Sequence, residues 1–194
     1  MEKPKIIELI IDENDLQTGI HAVSVVHSPA IEENFIALSK HEIELKEVDS
    51  EKKILMGAAL VPNKQILRAD KDGKGYYIYF SEDTIKKASE LFLMRSNQNN
   101  ATYEHKEKLN GMSVVESWVI DNPDMDKSKE YGFSLPKGTW MIAMKVNNED
   151  IWKDVKAGKV KGFSIEGYFA DKYEMSQEKD EKQEIINKLK ELLK

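Results

Sequence analysis

Ser164 lies in the stretch Lys161–Tyr168, KGFSIEGY. Side chains on a β-strand alternate between faces, so Ser164, Glu166 and Tyr168 share one side and Phe163, Ile165 and Phe169 the other. Gly162 and Gly167 leave room for another group to approach the backbone. A serine hydroxyl on a rigid strand beside open space is a nucleophile only when a base accepts its proton. Without a base it is an ordinary serine on the exposed face of a strand, and this segment alone leaves both readings open.

A base implies histidine, and the chain has four: His21, His27, His41 and His105. His105 closes the apparent strand ATYEH, before a lysine-rich loop. From a strand end its ring can lean across a sheet toward Ser164, or it is simply a surface histidine. His21 opens IHAVSVV and shares a face with Val23 and Val25. That pattern fits a hydrogen-bonded core residue, or a group that orients a second histidine as the third member of a triad does. His27 precedes Pro29 and reads as a turn residue, and His41 falls in a charged, solvated segment. Glu104, Glu116 and Glu166 offer carboxylates, but nothing fixes their spacing as a glycosidase pair or a metal site. The sequence has no HExxH, no GxSxG elbow and no Walker loop. Gly73-Lys74-Gly75 is too short to cradle a phosphate and reads as a hairpin turn.

The elements that must position these groups are mostly strands. The 194 residues are 40% hydrophobic and 33% charged, which suits one folded domain with a real core. A net charge of −6, with basic residues interleaved among acids, argues against binding nucleic acid or an acidic membrane. Absence of cysteine excludes disulfides and thiolate metal sites and is compatible with a reducing compartment. The apolar run from Ile6 to Ile11 is broken by Glu8, so neither a signal peptide nor a membrane span is expected.

Strands are expected over Ile6–Ile11, Ile20–Val26, Phe35–Leu38, ILMGAALVP from Ile54, GKGYYIYF, ATYEH, MSVVESWVI, TWMIAMKV and the Ser164 segment. Ser81 and Asn148 read as helix N-caps with acidic first turns. Asn110-Gly111 is a strong turn pair. The polar stretch 122–138 is long enough for a functional or mobile loop. Residues 39–53 read either as a charged connection inside a domain spanning 1–172 or as an exposed strand in which Ile43 and Leu45 alternate. Residues 173–194 read as an amphipathic helix with Ile185, Ile186, Leu189, Leu192 and Leu193 on one side. The sum is a β-rich α+β fold of antiparallel strands with flanking helices, closed into a barrel.

The segments EHKEKLNGMSVVESWVID, PKGTWMIAMKV and IWKDVKAGKVKGFSIEGYF resemble the XkdF-like phage serine proteases, prohead (capsid-maturation) enzymes whose fold is similar to the herpesvirus assemblins. The resemblance spans most of residues 15–170. It implies a nucleophile at Ser164 and a base at His105. VSVVHSPAIEENF resembles a VSLV-x-x-PA element that in many prohead proteases follows the serine strand. Here it precedes the histidine, which implies a circularly rearranged strand order. Relatives often carry an acidic third member near this strand. His21 stands there instead, which implies a His-Ser-His arrangement, with Glu166 as the alternative third member.

The resemblance further implies acyl transfer onto scaffolding protein, the propeptide of the major capsid protein and the enzyme's own tail. It implies self-association and action in the bacterial host cytoplasm within the prohead, with no metal or organic cofactor. The terminal helix would then be a tether or the start of a scaffold-like extension, and loop 122–138 would border the substrate groove. Two rival readings are a non-catalytic assembly protein on the same fold and a ligand-binding barrel.

Overall fold

The computed structural model describes residues 5–31, the backbone of 36–38, residues 52–176, and positions 183, 185, 186 and 188. In chain order the strands are β1 (Ile6–Ile10), β2 (Gly19–Val26), β3 (Ile36–Leu38), β4 (Ile54–Leu60), β5 (Ile66–Ala69) and β6 (Gly75–Phe80). Helix α1 (Glu82–Met94) follows, then β7 (Ala101–Tyr103), β8 (Glu107–Leu109), β9 (Met112–Val119) and β10 (Trp140–Val146). Helix α2 (Glu149–Lys156), β11 (Gly162–Tyr168) and β12 (Ala170–Asp171) complete the series.

The strands form three four-stranded sheets, ordered β12-β1-β6-β5, β3-β4-β10-β9 and β11-β2-β7-β8. The β-rich α+β class therefore holds, but no closed barrel is detected among the described residues. Nor is the pairing uniformly antiparallel, because β1 runs parallel to β6 and β2 parallel to β7. Parallel neighbours need a long crossover. The β2-to-β7 crossover contains α1, which packs back on β2.

The core is centred on β10, whose run WMIAMKV is buried except at Lys145. A continuous apolar strand is covered on both faces. Trp140 is fully buried, meets Phe92 of α1 edge-to-face at 5.4 Å between ring centres, and donates its indole N–H to Ser117 Oγ at 2.8 Å. Both helix starts follow from their caps. Ser81 Oγ accepts from Thr84 N at 3.5 Å, and Asn148 Oδ1 accepts from Asp150 N and Ile151 N, each at 3.1 Å. These bonds satisfy amides that have no partner within the helix.

Other expectations need revision. Asn110-Gly111 does not close a hairpin, because β8 and β9 belong to different sheets. Gly111 turns the chain at φ 74°, and its carbonyl accepts from Asn147 N at 2.7 Å. Gly73-Lys74-Gly75 does close the β5–β6 hairpin, with Asp70 Oδ1 accepting the amides of Asp72 and Lys74. Phe35, His41, all but the last two residues of the connection 39–53, and most of the helix 173–194, including Leu189, Leu192 and Leu193, lie outside the described residues. Ile185 and Ile186 are described, and both are exposed.

The sheet of β1 is tied to the segment after β12 by one carboxylate. Glu8 Oε2 accepts from Lys172 Nζ at 2.8 Å and from Tyr79 Oη at 3.1 Å. The hydrogen bond from Lys172 is the main reason the Glu8 carboxyl sits below the usual carboxylate range, and burial opposes it in part. A depressed native pKa contributes stability that is complete above about pH 4.3 and is lost as pH falls through the native value. Glu8→Gln should therefore flatten the acid limb of a plot of Tm against pH, read by circular dichroism. Trp140→Ala should cost about 3–5 kcal/mol in urea denaturation, because it opens a cavity and strands the Ser117 hydroxyl.

Candidate active site

Strand β2 is the spine of the site. It pairs antiparallel with β11, placing Ser24 opposite Ser164 and Ala22 opposite Glu166, and parallel with β7, placing Ser24 beside Thr102. Cross-strand partners share a face. Ser164, Glu166, Ser24 and Thr102 thus gather on one side, while Phe163, Val23, Val25 and Ala101 go into the core. The register slips between Glu166 and Gly167, leaving His21 of β2 without a partner on β11. At the slip the backbones nearly touch: a Cβ on Gly167 would meet Gly19 O at 2.1 Å, so only glycine fits.

His105 does not end a strand. β7 stops at Tyr103, and Glu104 and His105 turn the chain into β8 with φ of 49° and 59°. Lys106 N donates to Tyr103 O at 3.0 Å, so both central residues of a tight turn are left-handed. Such turns normally carry Asn-Gly. Two larger residues there cost about 1–3 kcal/mol each, and such strain persists only where the surroundings over-determine it. Three bonds do so. His105 N donates to Ser24 Oγ at 3.0 Å, Glu104 N to Val25 O at 3.2 Å, and His27 N to Glu104 Oε1 at 2.6 Å.

The turn delivers the imidazole to a carboxylate. His105 Nδ1 lies 3.2 Å from Glu166 Oε1, and Thr102 Oγ1 donates to the same oxygen. Both ends of the pair are reachable, with side chains 43% and 31% exposed. With Nδ1 engaged by Glu166, Nε2 is the nitrogen left for other chemistry.

Ser164 stands two residues before Glu166 on the same face. Its hydroxyl makes no hydrogen bond among the described residues, to His105 included, and it is not sealed from solvent. Ser24, directly opposite, is fully buried, and its hydroxyl is used twice: it accepts from His105 N and donates to Thr102 O at 3.4 Å.

The remaining candidates are engaged elsewhere. His21 Nε2 lies 2.7 Å from Gln17 O, its ring meets the edge of Tyr168 at 5.7 Å, and it makes no hydrogen bond to His105. Among the described residues it is Glu166, and not His21, that touches the His105 ring. His27 Nδ1 meets Lys159 O at 2.9 Å. Glu116 pairs with Lys127, and the 122–138 segment packs by Asp126 against the Trp118 indole. None of that segment lines the cavity beside Ser164. Ser24 and Thr102 escaped notice in the sequence, although a lone hydroxyl within VSVV is a visible irregularity in an apolar strand.

The family model described as "Putative phage serine protease XkdF" matches residues 42–174. Phage-like element PBSX protein XkdF of Bacillus subtilis (strain 168) is 26% identical over 183 residues, which is 94% of this chain and 58% of that protein. The chain thus spans little more than half the length of the curated relative it matches. No solved structure matches.

Ser24→Ala removes the acceptor that pins the turn and leaves the His105 amide unpaired. It should cost about 1–3 kcal/mol in urea denaturation and speed hydrogen exchange at the His105 amide above that of the β10 amides.

Proposed function

The chain belongs to the family of the putative phage serine protease XkdF, and from that premise we propose that it is a serine endopeptidase with Ser164 as nucleophile, His105 as base and Glu166 as the orienting acid. The observation that carries this reading is the His105 Nδ1–Glu166 Oε1 contact at 3.2 Å, on the strand face that also bears Ser164. Glu166 takes the third role in preference to His21, whose ring is held by Gln17 and Tyr168.

The chemistry is acyl transfer. His105 Nε2 takes the proton of Ser164 Oγ as that oxygen bonds to the peptide carbonyl carbon. Glu166 keeps the proton of His105 on Nδ1 before attack and stabilises the imidazolium that attack creates. The imidazolium then protonates the leaving amine, and water releases the acyl group by the same steps. The Ser164–His105 contact closes when substrate fills the site, as hydrogen bonds of this kind tighten in the Michaelis complex.

The substrates in this reading are phage scaffold, the major capsid protein's propeptide and the chain itself, cut within the prohead in the host cytoplasm by self-associated copies. An assemblin-like kinship with rearranged strand order belongs to the same reading. Its support is the central place of β2, which carries VSVV between the serine strand and the histidine hairpin.

The test is to mix the purified chain with the scaffold and capsid precursors of its phage and locate cuts by mass spectrometry. Ser164→Ala should abolish cutting. Glu166→Gln should lower kcat by about 10²–10⁴-fold with little change in KM. Identical processing by wild type and Ser164→Ala overturns the proposal and leaves a non-catalytic assembly protein.

A further inference from the structure

Thr102 sits in the middle of β7, beside Ser24 of β2 on one edge and opposite Lys108 of β8 on the other, so its backbone has a neighbour on each side. It reaches His105 by separate routes. Its carbonyl accepts from Ser24 Oγ at 3.4 Å, and that oxygen in turn accepts from His105 N at 3.0 Å. Its hydroxyl donates to Glu166 Oε1, the oxygen that also lies 3.2 Å from His105 Nδ1. The backbone and the ring of the histidine are thus both referred to one residue.

Glu166 has far to reach. Strands β11 and β7 are neighbours of β2 and not of each other. Two inter-strand spacings separate them, about 9.5 Å. Glu166 pairs with Ala22, one step along the face from the row of Ser164, Ser24 and Thr102. Its carboxylate therefore leans diagonally across β2, where the face offers the small residues Ala22 and Ser24. A glutamate held in this way gives up rotamer freedom at several torsions. Its contact with His105 is open to water, with side chains 31% and 43% exposed, and an exposed ion pair returns little. A firmer anchor has to hold the carboxylate. Threonine supplies one, because its branched Cβ restricts χ1 and its hydroxyl makes a charge-assisted hydrogen bond.

We propose that Thr102 is a positioning residue: its hydroxyl fixes the Glu166 carboxylate in the place from which that carboxylate orients the His105 ring. Its effect on rate rests on the proteolytic reading, whereas its effect on the ring needs no turnover. With Oε1 held by Thr102, His105 keeps its proton on Nδ1, and Nε2 stays open to accept one. Without the hydroxyl the carboxylate turns to solvent, and the ring exchanges between tautomers.

The experiment compares the full chain with Thr102→Val, which keeps the branched shape and loses the hydroxyl, and Thr102→Ser, which keeps the hydroxyl. Nitrogen NMR of the His105 ring is recorded at about pH 8, where an ordinary imidazole is neutral. The Nδ1–H tautomer should dominate in the wild type, give way toward Nε2–H in Thr102→Val, and return in Thr102→Ser. Turnover of peptides spanning the cuts should follow the same order. In Thr102→Val kcat should fall about 10–100-fold with KM unchanged, the loss expected of one hydrogen bond to a charged group, and Thr102→Ser should recover most of it. Circular dichroism verifies that each variant is folded, and Thr102→Ala replaces Thr102→Val if the latter is not. A wild-type ring mainly in the Nε2–H form, the same tautomer with and without the hydroxyl, or an equal loss in Thr102→Val and Thr102→Ser overturns the positioning role. A tautomer that shifts as expected in a chain that cuts nothing sinks the protease but keeps the positioning role. Cutting that Thr102→Val leaves unchanged sinks the positioning role but keeps the protease.

Discussion

One hydrogen bond, from the His105 amide to the Ser24 hydroxyl, is the constraint on which the rest of the site depends. Two consecutive non-glycine residues in left-handed conformation cost a sizeable share of a stability that for most domains is only about 5–15 kcal/mol. A looser turn would relax, and the imidazole would swing off Glu166. Three restraints that help prevent this come from one stretch of chain: the hydroxyl of Ser24, the carbonyl of Val25 and the amide of His27. His105 is therefore held by the strand that pairs with the Ser164 strand, so the two residues share one frame of reference.

That frame is fixed in turn by the segment that follows α1. Asn97 Nδ2 donates to Ile20 O at 2.9 Å, Asn100 Nδ2 to His21 O at 3.1 Å, and Arg95 Nη1 to Thr18 O at 2.6 Å. These bonds satisfy carbonyls freed where β2 bulges at His21, and they place the crossover helix against the strand it returns from. The bulge also re-aims His21 and brings the Gly19 carbonyl onto Gly167. A β-bulge beside a functional face commonly serves to redirect a side chain. Here it turns a histidine toward Gln17 and Tyr168, leaving the acidic partner of His105 to come from β11.

The sequence was legible where a local rule decides the outcome. Ser81 and Asn148 cap helices because a short polar side chain before an acidic turn has little else to do. The alternation on β11 separated Phe163 from Ser164 and Glu166 correctly, as the pairing with β2 sets Phe163 opposite Val25 and Ser164 opposite Ser24. It failed where burial gives no pattern. β5 has only Ile66 buried, and β8 shows mostly charged residues to solvent, so neither has a periodic signal. The barrel expectation failed for a different reason. Strand periodicity is the same in an open sheet and a closed one, and parallel pairing of β1 with β6 leaves no mark in either strand. The structure sets Glu166, the alternative third member, against the His105 ring and turns His21 toward Gln17, at a one-residue bulge that no residue type announces except Gly167.

The two facing serines show how differently the same side chain is committed. Ser24 is sealed, accepts from an amide and donates to a carbonyl. Its proton and a lone pair are both committed, so attack by its oxygen would first break the bonds that hold the His105 turn in place. Ser164 is 9% exposed and has neither commitment. It also sits on the end strand of its sheet, whereas Ser24 is flanked by strands on both sides. A nucleophile must be held by backbone yet unspent at its reacting atom, and of these two serines Ser164 meets both conditions. Ser24 is central because it must contact the histidine turn, and in the proteolytic reading Ser164 is peripheral because it must contact the substrate.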